Sequence, residues 1–380
     1  MHSIVYVVYH DLNKEARSME MLKCCITLGD VHLVSYATPK IEEDINTYII
    51  DKASPIALLQ FLSQAKKVIL SVKPNIVVLH DSDCSILIPF VRKHLPGTFI
   101  VYDSSELYIK KQVEGVRAKR FCFDDGILIW IKQKLTRFRS LNEKKYLKDV
   151  DLVFAANQER AKIMEEYFEL REEPTVFDNM HRIDDTYDLE ECGKKFDRFF
   201  DFDSFNILFG GGISEERKTF DYIREFAKVR EKANLIIVGS ASNAAKTVYD
   251  DLISELELMD KVHYLGFVSR AELRYIMQKS QASVVLFDMN SYNTIYCESG
   301  KCYESLFEGT PILASENPPL FRLCSENKIG VSDNNFSRGI LTLMNDYDNY
   351  QEHVKDFISG VDYEGRIDRL SECILKRMNQ

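Results

Sequence analysis

The stretch KCYESLFEGTPILAS, Lys301 to Ser315, decides how this chain is to be read. Ser299 just before it is a fair N-cap, and Gly309 stands where a left-handed residue closes a helix. Tyr303, Leu306 and Phe307 fall at helical spacing between the two. Pro311 cannot extend that helix, and Ile312, Leu313 and Ala314 follow as a small buried strand. The unit is loop, helix, strand, with the polar loop Asn290 to Gly300 in front. Lys301, Glu304 and Glu308 share one helix face at i, i+3 and i+7. Lys301 lies in the first turn, where the helix dipole disfavours a cation by up to about 1 kcal/mol unless an anion sits between them. A phosphate resolves that conflict, whereas an exposed Lys301–Glu304 pair is the plainer alternative.

The same arrangement recurs upstream. NILFGGGISEERKTFDYIREFA reads as a strand (Asn206 to Phe209), a turn of Gly210, Gly211 and Gly212, and a helix whose apolar face includes Phe220, Ile223, Phe226 and Ala227. Arg217 and Lys218 stand at its beginning. Two basic helix starts behind two strands form two sides of one anion site.

At this point the sequence resembles the donor-binding half of the family-4 glycosyltransferases, retaining enzymes of the GT-B fold. The subgroup it resembles, of bacterial polysaccharide type, reads roughly S-P-x-K-x-Y-E-x-x-x-x-G-x-P-V-I-A, against ESGKCYESLFEGTPILAS here. The glycine turn with Arg217 is similar to the family's Y-x-G-x-I-x-x-x-R-G element. VHYLGFVSRAEL, Val262 to Leu273, is similar to V-x-F-L-G-x-V-x-x-x-E-L. The resemblance runs through most of the chain, in the right order.

Bulk properties set the frame. A chain of 380 residues, 45% of them hydrophobic, is long enough for two domains with ordinary cores. Nine cysteines show no CxxC and no Cys/His spacing suited to zinc, so a reduced, cytoplasmic setting is expected. The opening MHSIVYVVYHD has no basic n-region and no long apolar run, so no signal peptide is expected, and no run approaches the roughly 18 apolar residues of a membrane span. A net charge of −10 argues against nucleic-acid binding, but it is unevenly spread. Residues 109–148 carry twelve Lys/Arg against four Asp/Glu. Trp130 lies among the isoleucines of 127–131, and Lys132, Lys134, Arg137, Arg139, Lys144 and Lys145 follow with Leu135, Phe138 and Leu141 between them, in a segment expected to hold two helices. Such a segment suits the anionic inner face of a plasma membrane, and a solvated helix packed on the sheet is the alternative.

The N-terminal part alternates strand and helix. Ser3 to Val8 is an apolar strand, a helix follows over about Lys14 to Thr27, and Val31 to Tyr36 is the next strand. No G-x-G-x-x-G accompanies this opening, which removes the main support for dinucleotide and hydride chemistry. A helix over Pro55 to Ser71 leads to strand Ile76 to Leu79, which ends in His80, Asp81 and Asp83. Strand Thr98 to Tyr102 ends in DSSELY, with Glu106. Ligands of open α/β sheets bind at such carboxyl ends. The resemblance aligns these ends with D-V-V-H-A-H-D and V-Y-D-S-H-E, which line the acceptor side, and Ser105 stands where the family has histidine. Asp81-Ser-Asp83 also matches the D-x-D metal motif of single-domain GT-A enzymes, a reading that leaves the glycine turn and the basic helix starts without a role.

The expected architecture is therefore α/β of GT-B type, two Rossmann-like domains with parallel sheets facing an interdomain cleft. Residues 1–185 form the acceptor domain, 186–204 a charged linker and 205–355 the nucleotide-sugar domain. Residues 356–380 form the end of a terminal helix, running from about Tyr350 to Met378, that crosses back to the first domain. The resemblance implies a hexosyltransferase that moves sugar, with retention, from a nucleoside-diphosphate sugar, expected to be a UDP-sugar, to a glycan or lipid-linked acceptor in cell-surface polysaccharide synthesis. Arg217, Lys301 and the helix N-termini face the diphosphate, so no metal or other cofactor is required. Glu304 accepts from ribose hydroxyls, the backbone at Phe267 and Val268 meets the base, and Gly211 and Gly212 admit the sugar phosphate, with Ser299 capping the helix of Lys301. Asp81 and Glu106 complete the expected catalytic set. Many family members carry a second glutamate where Tyr296 stands here, with Glu298 nearby but out of register. Ser105 and Tyr296 favour a non-catalytic accessory subunit, the intact Arg217, Lys301 and Glu304 oppose it, and a sugar-nucleotide epimerase on the same fold is a third reading.

Overall fold

Ile4 to Val8 are all fully buried, as befits a strand covered on both faces, which reads as an unbroken apolar run. The same holds for Ile76 to Leu79 and Leu235 to Ile237. In the computed structural model, which describes residues 2–51, 57–109, 141–215 and 217–380, these runs become central strands of two parallel sheets. The chain divides into two units. One comprises Met1–Asn179, Ser291–Asn293 and Asp362–Gln380, the other Met180–Asn290 and Thr294–Val361.

The first unit holds β1 (His2–Val8), β2 (Gly29–Ser35), β3 (Asn46–Ile49), β4 (Ile76–His80), β5 (Phe99–Ser104), β6 (Leu152–Ala155) and β7 (Thr175–Val176), in the order β3-β2-β1-β4-β5-β6-β7. The strand order reverses between β1 and β4, where Val8 pairs with His80. In the next pairing His80 lies opposite Asp103. Helix Ala16–Leu28 and the terminal helix Arg366–Met378 cover one face, and Met21, Leu22, Cys25, Leu370 and Ile374 join Ile4, Tyr6 and Val8 in one core. Each large apolar side chain buried in this way contributes about 1.5–3 kcal/mol.

The second unit holds β8 (Phe205–Gly210), β9 (Ala233–Val238), β10 (Val262–Gly266), β11 (Ala282–Val285), β12 (Ile312–Ala314) and β13 (Gly330–Ser332), in the order β10-β9-β8-β11-β12-β13. Its reversal lies between β8 and β11. Gly212 is obligatory at the end of β8. Its φ is +82°, and an added Cβ would stand 1.9 Å from the carbonyl oxygen of Ser240.

Two sequence expectations change. The run 186–204 is more than a charged linker, because Leu189–Phe196 is a helix capped by Asp188. Its Cys192 and Phe196 are buried with Leu208, Ile236 and Tyr275 of the second unit, an i, i+4 pair too sparse to stand out among the surrounding charges. The ending is two helices, Tyr347–Ser359 and Arg366–Met378. Gly360 and Gly365 interrupt them, and the Gly365 N–H donates to Asp362 Oδ1 at 3.0 Å, closing a turn. Of the basic segment 109–148, residues 110–140 lie outside the described residues, and Trp130 and the expected helices fall there. Lys144 is described and pairs with Glu169 at 2.8 Å. Among the described residues no helix is long and apolar enough to cross a membrane.

Candidate functional site

In open parallel sheets the crevice outside the strand ends at the order reversal is where ligands are held. The second unit brings two basic side chains together there. The N–H groups of Gly211 and Gly212 donate to Val238 O at 3.0 and 2.8 Å, so both amides are engaged within the protein. The space that Gly212 leaves is filled by the Ser240 backbone. The space beside Gly211 is filled by Lys301, whose Nζ would be 3.0 Å from a Cβ there, with Arg217 Cδ and Nε at 3.9 Å. The glycines thus admit the basic side chains and a neighbouring strand end.

Helix Gly300–Phe307 brings Lys301 in. Ser299 caps it, its Oγ accepting from the Lys301 N–H at 3.3 Å, and Lys301 Nζ donates to Gly210 O at 3.4 Å. Arg217 precedes helix Thr219–Phe226 in a turn where its N–H donates to Ser214 Oγ at 3.2 Å. Its guanidinium lies 5.7 Å from the Phe287 ring centroid, just beyond β11. Among the described residues neither cation has a carboxylate within ion-pair distance. Burial, and then Arg217, pull the Lys301 ammonium down to about 8, against a smaller opposing pull from Glu304. Two cations are thus held beside one another in partial burial, each disfavouring the other's charge.

Glu304 is not on a solvated face; it is 4% exposed. Its Oε1 accepts from His181 Nε2 at 3.0 Å and from an Arg270 guanidinium nitrogen at 3.1 Å. Burial alone would raise its carboxyl, but His181 and Arg270 hold it below the usual range. Gly300 makes this possible, because a Cβ there would stand 1.9 Å from His181 Cε1. Glu308 is engaged as well, by Arg274 at 2.8 Å and Gln278. Phe267 is 87% exposed, whereas Val268 packs on the core. Glu298 is buried, bonded to the Tyr303 hydroxyl and paired with Arg322 at 3.2 Å, a structural role. His181 and Arg270 escaped the sequence reading because each is far along the chain from Glu304.

The first unit carries Asp81 and Glu106. Asp81 has φ +58° and begins the short helix Asp81–Cys84. Its Oδ1 accepts the Ser105 and Glu106 N–H groups at 2.8 and 3.1 Å, and its Oδ2 accepts the Ser105 hydroxyl at 2.7 Å. Asp81 thus organises the loop after β5. Glu106 accepts from Asn293 Nδ2, and Asn293 Oδ1 accepts from Arg160 at 2.7 Å. Burial raises the Glu106 carboxyl. Behind them lies an unanticipated buried chain: Arg17 donates to Asp103 Oδ1 at 3.0 Å through Nε, and Asp103 Oδ2 is 2.9 Å from His80 Nδ1. Burial disfavours charge on His80, but Asp81, Asp103 and Glu15 together raise its pKa well above the ordinary value.

Two Rossmann-like units with wholly parallel sheets define the class of this protein, the GT-B fold. Residues 194–367 match the family model described as glycosyl transferases group 1. An uncharacterized glycosyltransferase of Methanocaldococcus jannaschii is 26% identical over 219 residues, 56% of this chain and 50% of that protein. The chain thus spans about half the length of that curated relative. Among solved structures, a sucrose-phosphate synthase from Thermosynechococcus elongatus superposes with a TM-score of 0.71 at 15% identity, covering 99% of each chain. Anabaena HepE, in complex with UDP-glucose, also gives 0.71, at 11% identity and with both chains covered completely. These two likenesses concern the fold.

Proposed function

We propose that this chain is a retaining glycosyltransferase that takes a hexosyl group from a nucleoside-diphosphate sugar, UDP-linked, and passes it to a glycan or lipid-linked acceptor in cell-surface polysaccharide synthesis. The observation that carries the reading is the pairing of Lys301 with Arg217 at the β8/β11 reversal, with Lys301 pulled down to about 8. A diphosphate leaving group gains charge as the anomeric bond breaks, and two fixed cations stabilise that charge without a divalent ion. Glu304, held charged and oriented by His181 and Arg270, is an acceptor for ribose hydroxyls. The backbone at Phe267 and Val268 meets the base.

In this reading the second unit binds the donor and the first the acceptor, with Asp81 shaping the loop that presents Glu106. The raised carboxyl of Glu106 suits it to exchange a proton near neutral pH. The protein works in the cytoplasm, and segment 109–148 brings it to anionic lipid. An accessory, non-catalytic reading has one observation in its favour: Ser105, where the family has histidine, has its hydroxyl engaged by Asp81. Assay of UDP release from UDP-sugars separates the two. Turnover supports the enzyme, and UDP binding without turnover supports the accessory protein.

A further inference from the structure

The order reversal of the first unit gathers groups that the reaction above leaves unused. His10 Nε2, Glu15 Oε2 and His80 Nε2 come from the turn after β1, the residue preceding helix Ala16–Leu28 and the end of β4, and they lie within 4.8 Å of one another. His10 Nε2 is 2.6 Å from Glu15 Oε2, with Ser18 Oγ at 3.0 Å, and His80 Nε2 is 3.3 Å from the same carboxylate oxygen. His80 is 1% exposed, and its Nε2 and the Glu15 Oε2 are buried atoms without a hydrogen bond of normal geometry.

On the other side of the His80 ring Asp103 Oδ2 stands 2.9 Å from Nδ1, without a hydrogen bond of normal geometry; the Tyr6 hydroxyl lies 3.5 Å from the same nitrogen, and Arg17 holds Asp103 in turn. A carboxylate behind a histidine sets the proton on the nitrogen it touches and aims the other nitrogen's lone pair outward, the arrangement that supports metal-ligating histidines.

We infer that His10, Glu15 and His80 form a binding site for a divalent transition-metal ion of zinc type, with Asp81 Oδ2, 3.6 Å from His80 Nε2, available to close the shell. Two imidazole nitrogens and carboxylate oxygens are a donor set that zinc accepts, and tetrahedral bonds of about 2.0–2.1 Å place donor atoms about 3.3 Å apart. The His80–Glu15 separation already has that value. The His10–Glu15 separation must open by roughly 0.7 Å to reach it, and the His10 side chain, 31% exposed, has room to move. The ion ties the turn after β1 to the end of β4. It has no part in the donor chemistry of the second unit.

The test uses the full chain, stripped with chelator and titrated with Co2+, read by the visible absorption of the bound ion, followed by competition with Zn2+. The expected result is one saturable equivalent, displacement by Zn2+ and a raised unfolding temperature. His80→Ala opens a hole in the core and is expected to disturb folding, so His10→Ala at the rim decides. It should weaken Co2+ binding at least about tenfold with an unchanged far-ultraviolet circular dichroism spectrum. Absence of stoichiometric uptake by the wild-type chain, or uptake by His10→Ala as tight as wild type, overturns the site and assigns the cluster to a second proton on His80.

Discussion

Lys301 extends its ammonium to 3.4 Å from the carbonyl oxygen of Gly210, the last residue of β8. A helix that follows β11 thus places a cation at the end of the strand beside it in the sheet, next to the start of the glycine turn. Burial and Arg217 both act against its charge. This is a cost in the free protein that a bound anion turns into affinity.

A pH dependence follows. Lys301 titrates at about 8 in the folded chain and near 10.4 when unfolded. UDP affinity should be constant below pH 7 and fall as pH rises through 8, and Lys301→Arg should remove the decline. The free protein should behave oppositely. Between pH 8 and about 10.4 the unfolded state binds the extra proton, so stability rises with pH over that window. Lys301→Met should then be more stable than wild type at pH 7 while losing UDP. Calorimetric titration and thermal unfolding across pH 6–10 check both directions.

Glu304→Gln removes the charge that His181 and Arg270 orient. UDP or UDP-sugar affinity should fall by about 1.5–3 kcal/mol, the worth of hydrogen bonds to a charged group. His181→Gln should cost less and raise KM more than it lowers kcat. Equal affinity in Glu304→Gln and wild type would remove Glu304 from the nucleotide site.

The two glycines should separate. Gly212→Ala meets the Ser240 backbone and is strained at φ +82°, so it should destabilise by more than about 2 kcal/mol. Gly211→Ala meets the movable end of Lys301 and should chiefly impair UDP binding. Denaturant melts alongside binding isotherms distinguish these effects.

Much of the second unit was legible because it is local. Ser299, Lys301, Gly309 and Pro311 set the cap, helix and stop by their own conformational preferences. Ile312 to Ala314 are the strand that the apolar run suggests. Contacts set by tertiary pairing were not legible. His181 reaches Glu304 across 123 positions, and Asp103 meets His80 only because parallel register places β4 and β5 side by side. The helix Leu189–Phe196 was hidden by its charges, since only Cys192 and Phe196 turn to the core.

Vesicle binding tests the acceptor side of the account. Sedimentation with anionic vesicles at low salt, weakening as salt rises, is expected of the wild-type chain. It should be lost in the combined variant Lys132→Glu, Arg137→Glu and Arg139→Glu, with UDP affinity unchanged. Failure of the wild-type chain to sediment would point to a soluble acceptor.

The central claim is that Arg217 and Lys301 bind the donor diphosphate in place of a metal ion. Calorimetric titration of UDP into the wild-type chain, Arg217→Ala and Lys301→Ala, each in excess chelator, tests it most directly. The account predicts saturable binding by the wild type in chelator and a loss of about 1.5–3 kcal/mol in each variant, with Asp83→Ala binding as wild type. Unchanged UDP affinity in both cation variants, or wild-type binding that requires added magnesium or manganese, would contradict it.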